Sequence, residues 1–227
     1  MFNRVNPRRS RIVGIALLAL AFLPSHAWAE GLYADVHGGV PFFNNDSARV
    51  TALTTGGSVR AHTNYETGWL AGSSVGYEWA AGFASEFEFT FRQNDLSRIA
   101  TSTPIFVGGD MHSFAIMLNG YYRFYNRTPF TPYIGAGVGE ATVSLNNARP
   151  PASVDRGPLG GTDAVFAYQG IAGISYPIAP HLTVAAEYRY FATLRPGFQQ
   201  QLAGDEFKVS PSYDSNNALL RFVYNFK

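Results

Sequence analysis

The side chains best placed to do chemistry lie on one short run, Phe83 to Arg92, which reads FASEFEFTFR. Glu86 and Glu88 stand two residues apart, so in a strand they share a face, and two close carboxylates are the arrangement that general acid–base work uses. Arg92 lies on the same face, and Arg123, Arg189 and Arg221 recur in the same kind of alternation elsewhere. With that many guanidinium groups available, structural pairing is the stronger reading of the two glutamates. Other candidates fare worse. His112 and Ser113 are adjacent and point to opposite faces of a strand. His181-Leu-Thr183 puts an imidazole and a hydroxyl on one face, but beside a turn, and with Thr where a Ser nucleophile is wanted. The five histidines are scattered, without metal-ligand spacing. Gly135-Ala-Gly137-Val-Gly139 lacks a third glycine at the spacing of a nucleotide loop, and no helix follows it, so these are small residues on one face of a strand. Asn126-Arg-Thr128 has the form of a glycosylation sequon but reads as a turn. The sequence therefore points to no catalytic residue, no cofactor and no metal site.

The elements that would carry these residues follow a leader. Arg4, Arg8, Arg9 and Arg11 precede an uncharged apolar run from Ile12 to Leu23, Pro24 breaks it, and Ala27 and Ala29 supply the small residues of a cleavage site. Residues 1–29 thus read as a secretory signal peptide and 30–227 as one domain. The apolar run is shorter than the roughly 20 residues a membrane helix needs. The leader holds four of the 17 Lys and Arg and none of the 16 Asp and Glu. Its removal leaves thirteen cationic against sixteen acidic side chains, a net charge of −3, which gives no basis for nucleic-acid binding. There is no cysteine. An exported chain without disulfides needs another source of rigidity, and a closed sheet is one.

The mature chain alternates with period two almost throughout. Eight segments read as strands: 31–42, 65–79, 83–92, 112–124, 133–139, 164–176, 182–191 and 217–226. The connections alternate long and short without exception. In an up-and-down sheet this gathers the long loops (43–63, 95–110, 146–163 and 195–213) at one end and the tight turns at the other. The strand count is even, and each strand is about as long as a tilted membrane crossing, roughly 9–11 residues. The fold expected is an all-β, eight-stranded antiparallel up-and-down transmembrane barrel.

The alternation then has to be inverted relative to a water-soluble protein. Phe83, Phe87, Phe89 and Phe91 would face lipid, and the opposite faces would line the lumen. Those faces carry Glu78, Glu86, Glu88 and Glu187 with Arg92, Arg123, Arg189 and Arg221, four of each sign, accompanied by glycines. An eight-stranded barrel has an interior that side chains fill. Glu86–Arg123 and Glu187–Arg221, at matching heights on neighbouring strands, are the expected ion pairs. On the lipid face Trp69, Tyr77, Trp79, Tyr122, Phe124, Tyr176, Tyr188, Tyr224 and Phe226 lie near strand ends, where rings settle at the headgroup level as two aromatic girdles. Glu140 breaks the pattern: strict alternation turns it toward lipid. Either strand five has left the membrane there, or a bulge flips its register.

The segments FASEFEFTFR, MLNGYYRF (117–124), TPYIGAGVGEA (131–141), VAAEYRYF (184–191) and LLRFVYNF (219–226) make the chain resemble small outer-membrane β-barrel proteins of the OmpA/OmpX-like type, often described as porin-family surface proteins. The resemblance spans the whole mature chain. It implies residence in the outer membrane of a Gram-negative cell, among outer-membrane lipids and lipopolysaccharide. It also implies insertion by the barrel-assembly machinery, which reads a terminal aromatic. Here Phe226 fits, followed by Lys227. Some eight-stranded relatives are lipid A hydrolases with a His-x-Ser pair and a carboxylate near the outer leaflet; His181-Leu-Thr183 departs from that pattern in residue type and position.

The expectation is a non-enzymatic outer-membrane protein serving envelope integrity, adhesion or surface recognition, with long external loops that could meet a surface ligand or host factor. A narrow porin-like channel is the alternative, and a lipid A-modifying enzyme or a soluble lipocalin-like barrel stands behind it. The soluble barrel requires the opposite facing, with aromatics inward.

Overall fold

In the computed structural model, residues 29–43, 46–52, 58–65, 68–100, 104–107, 110–148, 159–202, 205–210 and 213–226 are described. Residues 1–28, with the expected leader and Ala27, lie outside them. Ala29 opens the first strand.

The strands are β1 (Ala29–Phe43), β2 (Asp46–Ala52), β3 (Ser58–Tyr65), β4 (Trp69–Trp79), β5 (Phe83–Ala100), β6 (Pro104–Val107) and β7 (Asp110–Arg123). They continue with β8 (Thr131–Ala148), β9 (Leu159–Ala179), β10 (Leu182–Thr193), β11 (Phe198–Leu202), β12 (Asp205–Ser210) and β13 (Asp214–Asn225). Eight of them, β1, β4, β5, β7, β8, β9, β10 and β13, pair antiparallel with their neighbours in the chain. The first and last also pair, from Tyr33↔Asn225 to Phe43↔Ser215. The barrel is closed, and closure leaves none of the eight with an unpaired edge in the bilayer, where open backbone groups would be costly.

Burial decides the facing. Glu86 and Glu88 are 2% and 0% exposed, whereas Phe87 and Phe89 between and beside them are 45% and 39% exposed. The same alternation runs through β7, β10 and β13. The aromatic side of each strand forms the outer wall and the charged side fills the inside.

One turn shows its local chemistry plainly. Between β4 and β5 the chain reverses through Ala80–Gly82, with Ala81 at φ 62° and Gly82 at φ 85°. A Cβ on Gly82 would also stand 2.6 Å from the Arg123 carbonyl oxygen. Left-handed backbone and close approach both call for glycine there.

Three of the long connections contain strands. The segment read as 43–63 folds into β2 and β3, and 195–213 contains β11 and β12. β5, β8 and β9 run 18, 18 and 21 residues, well beyond a membrane crossing. The extra strands join the upper part of β5 in one sheet, ordered β11-β12-β2-β3-β5, with β6 on the other side of β5. Three of the four expected loops are thus merged into a second sheet above the barrel. Alternation did not reveal them because neither face of such a segment is required to be apolar once it stands in water.

β8 resolves Glu140. Its ladder with β7 is regular from Arg123↔Tyr133 through Asp110↔Asn146, and its only register shift toward β9 lies between Leu145 and Ala148. No bulge occurs at Glu140, which is exposed and faces outward between Ile116 and Phe166. Above it the outward positions become Thr142, Ser144 and Asn146, so Glu140 marks the upper boundary of the apolar band while the strand continues.

Candidate functional site: the filled lumen

Three layers occupy the lumen. The lowest, beside the tight turns, is built on tyrosines lying over glycines. Tyr33 faces Gly76, Tyr121 faces Gly135 and Tyr133 faces Gly173 across neighbouring strands. A Cβ on any of the three glycines would run into the tyrosine ring. The missing side chains let the rings lie flat and send their hydroxyls to the barrel axis. Tyr33 and Tyr121 donate to Glu86 at 3.1 and 2.9 Å, and Tyr133 donates to Glu187 at 2.9 Å. Two members of the Gly135–Gly139 run serve this purpose: Gly135 makes room for Tyr121 and Gly137 for Asn119. Below the tyrosines Arg123 meets Glu78 at 2.6 Å, both partly exposed. A cavity of about 30 Å³ reaches up past Arg123 to Arg221, room for one or two waters.

The middle layer is a ring of charge. Arg221 holds Asp35, Glu86 (2.6 Å) and Glu187 (3.0 Å). Arg189 holds Glu187 through Nε at 2.9 Å and Glu88 at 2.6 Å. Thr90 donates to Glu88, and His37 lies with Nε2 3.2 Å from the Thr90 hydroxyl and Nδ1 2.9 Å from Asp35. Asp35–Arg221–Glu187–Arg189–Glu88–Thr90–His37 therefore closes on itself, linking β1, β13 and β10 on one wall to β5 on the other. Asn119 and Gln169 fill the remaining lone pairs of Glu88, at 2.6 and 3.2 Å. The imidazole of His37 thus bridges the Asp35 carboxylate and the Thr90 hydroxyl.

None of the charged members is more than 5% exposed. Ion pairs so deep persist only where further hydrogen bonds complete them, as the tyrosines, Asn119 and Ser74 do here. The third layer, above the ring, holds Met111, Phe191 and Tyr213 together with Arg92.

The structure differs from the sequence reading in its pairs. The expected Glu86–Arg123 pair does not form: Arg123 stays at the barrel mouth with Glu78, and Glu86 is taken by Arg221. Glu187 does meet Arg221. Asp35 and His37 belong to the network without being among the expected Glu and Arg; both alternate inward in the first strand, and period two on β1 is the signal that points to them.

Among the girdle residues, Trp69, Tyr122, Phe124, Tyr176, Tyr188, Tyr224 and Phe226 are exposed on the outer wall, with Tyr77 and Trp79 half-buried beside them. Tyr77, Trp79, Tyr122, Phe124, Tyr176, Tyr224 and Phe226 stand at the tight-turn end, and Trp69 and Tyr188 at the other. The residues that could have done chemistry do not converge. His112 faces outward against Phe91, while Ser113 faces inward and accepts from Tyr213 at 2.8 Å. His181 is exposed at its turn beside Tyr224. Among the described residues no cluster of three or more His, Asp or Glu is placed to hold a metal ion.

A closed antiparallel barrel of eight crossings, apolar outside and ionic inside, defines an integral protein of the bacterial outer membrane. The sequence profile of the outer membrane protein beta-barrel domain family matches residues 15–226, and the chain belongs to that family. It is 31% identical over 200 residues to an outer membrane protein of Gluconacetobacter diazotrophicus, covering 80% of this chain and 52% of that one. It is 29% identical over 171 residues to the outer membrane protein PagN of Salmonella typhimurium, covering 68% of this chain and 72% of that one. The chain thus spans about half the length of the first of these relatives. In structure it superposes on OprG of Pseudomonas aeruginosa with a TM-score of 0.63 at 15% identity, covering 87% of this chain and 97% of OprG.

Proposed function

We propose that this is a non-enzymatic surface protein of the Gram-negative outer membrane, in which a side-chain-filled barrel is a rigid post for an external sheet that contacts ligands or host surfaces. The observation that carries the reading is the merging of three connections into the sheet β11-β12-β2-β3-β5-β6. In barrels of this class the long connections face outward from the cell and the tight turns face the periplasm. A sheet costs more ordering entropy than free loops, and it presents a fixed surface in return. The ionic ring across the lumen supports a post over a channel, since a solute would have to pass buried, mutually satisfied charges. Lipopolysaccharide would surround the upper girdle, and β13 with Phe226 would be the strand read by the assembly machinery.

The test replaces residues 46–65 by a tight turn and expresses the variant in the source cell. A heat-modifiable barrel in the outer membrane with lost adhesion to host cells supports the reading. Unchanged adhesion, or lipid A whose mass spectrum depends on the protein, contradicts it.

A further inference from the structure

Of the four described arginines in the lumen, three have carboxylate partners: Arg123 has Glu78, Arg189 has Glu88 and Glu187, and Arg221 has Asp35, Glu86 and Glu187. Arg92 has none. It lies on β5 opposite Leu70 and Ser113, above the ring, and is 0% exposed. Its guanidinium carbon stands 3.8 Å over the Phe191 ring. Stacking engages the flat face of the group and leaves the in-plane N–H donors pointing outward. None of its Nε, Nη1 and Nη2 atoms has a hydrogen-bond partner. Two residues up on the same face, Asn94 is equally buried, and both ends of its carboxamide are also without a partner.

We infer that Arg92 and Asn94 form a binding site for a small oxyanion, a carboxylate or phosphate group, in the outward half of the lumen. A buried guanidinium without a counter-charge is far costlier than a buried amide. The ring below supplies no direct partner, because Glu88, the acid on the same face of β5, is already held by Arg189, Thr90, Asn119 and Gln169. The fork of Arg92 matches two oxygens of a planar or tetrahedral anion, and the Asn94 NH₂ adds a donor from the same side. Phe191, with Met111 opposite Asn94 in the register, gives the site an apolar wall. The inference stands apart from the surface role of the external sheet.

The test uses the full mature protein refolded in detergent, with sodium acetate or sodium phosphate exchanged against sodium chloride at constant ionic strength. Two readouts are followed: the Arg92 Nε–H resonance and the thermal midpoint. Either oxyanion should shift that resonance saturably and raise the midpoint, and Arg92→Leu should abolish the rise. A response to acetate alone assigns carboxylate ligands, and one to phosphate alone assigns phosphate ligands. No saturable response to either anion, or the same rise in Arg92→Leu, overturns the site. Should Arg92→Leu give no heat-modifiable band, Asn94→Leu replaces it. That variant keeps the guanidinium and should bind about tenfold more weakly; undiminished binding there overturns the site as drawn.

Discussion

Arg189 on β10 and Glu88 on β5 are 101 residues apart in the chain, yet their side chains meet at 2.6 Å across the lumen. β10 pairs with β9 and β13, and β5 pairs with β4 and β7 in the barrel, so the two strands face each other from opposite walls. The contact is a strut, and Glu187 and Arg221 extend it around the wall. Breaking it from one side should be severe. Glu88→Leu leaves Arg189 with Glu187 alone and is expected to lower stability by about 3–5 kcal/mol in urea titrations of the reconstituted barrel. The double variant Glu88→Leu with Arg189→Leu removes both charges and should recover most of that loss. A double variant as unstable as the sum of the singles would show that the two residues do not act as a pair.

His37 sits between the Asp35 carboxylate and the Thr90 hydroxyl and closes the ring across the lumen. His37→Phe removes both contacts and should lower stability by about 1–3 kcal/mol in urea titrations of the reconstituted barrel, through the buried groups left unpaired. Unchanged stability in that variant would show that the ring does not depend on the imidazole.

The tyrosine layer depends on absent side chains. Gly76→Val and Gly173→Val would push Tyr33 and Tyr133 off the axis and away from Glu86 and Glu187. Each is expected to destabilise by about 1–3 kcal/mol through overpacking, with an added loss from the uncoupled hydroxyl. By contrast Gly170→Ala, where a Cβ meets nothing within 4 Å, should be nearly silent.

Glu140 tests the height of the apolar band. At the boundary a charge on the lipid face costs about 0–1 kcal/mol, and a basic residue at the midplane about 2–4 kcal/mol. Glu140→Leu should therefore change stability by no more than about 1 kcal/mol. Ala136→Arg, two outward positions lower on β8, should cost several times as much. A gain of several kcal/mol from Glu140→Leu would place Glu140 within the hydrocarbon.

Period two carries most of what is legible in the sequence. It assigned eight crossings, their facing and the inward set from Glu78 to Arg221, because a strand with one wall in lipid and one in a narrow lumen must keep strict alternation. It failed where that constraint lapses. The segments now seen as β2, β3, β11 and β12 lie outside the eight crossings, where no lipid face imposes an apolar side, so their composition resembles that of loops. The identity of ion pairs was also beyond it. Glu86 and Arg123 sit on adjacent strands, yet Glu86 pairs with Arg221 on β13, because in a lumen this narrow long side chains reach across the axis as easily as to a neighbour. Asp35 and His37 were overlooked for a different reason: a single acid and a single imidazole on β1 made no local motif, and only closure of the barrel brings them to Arg221 and Thr90.

The inverted facing of β5 is directly measurable, because the sequence has no cysteine. Phe89→Cys and Thr90→Cys, each carrying a nitroxide in the barrel reconstituted into vesicles, should report opposite environments. The label at 89 should be relaxed strongly by oxygen and hardly by a water-soluble nickel chelate, and the label at 90 should be immobilised and reached by neither. A label at 89 that is buried and unreached, beside one at 90 open to the chelate, would contradict the inverted facing.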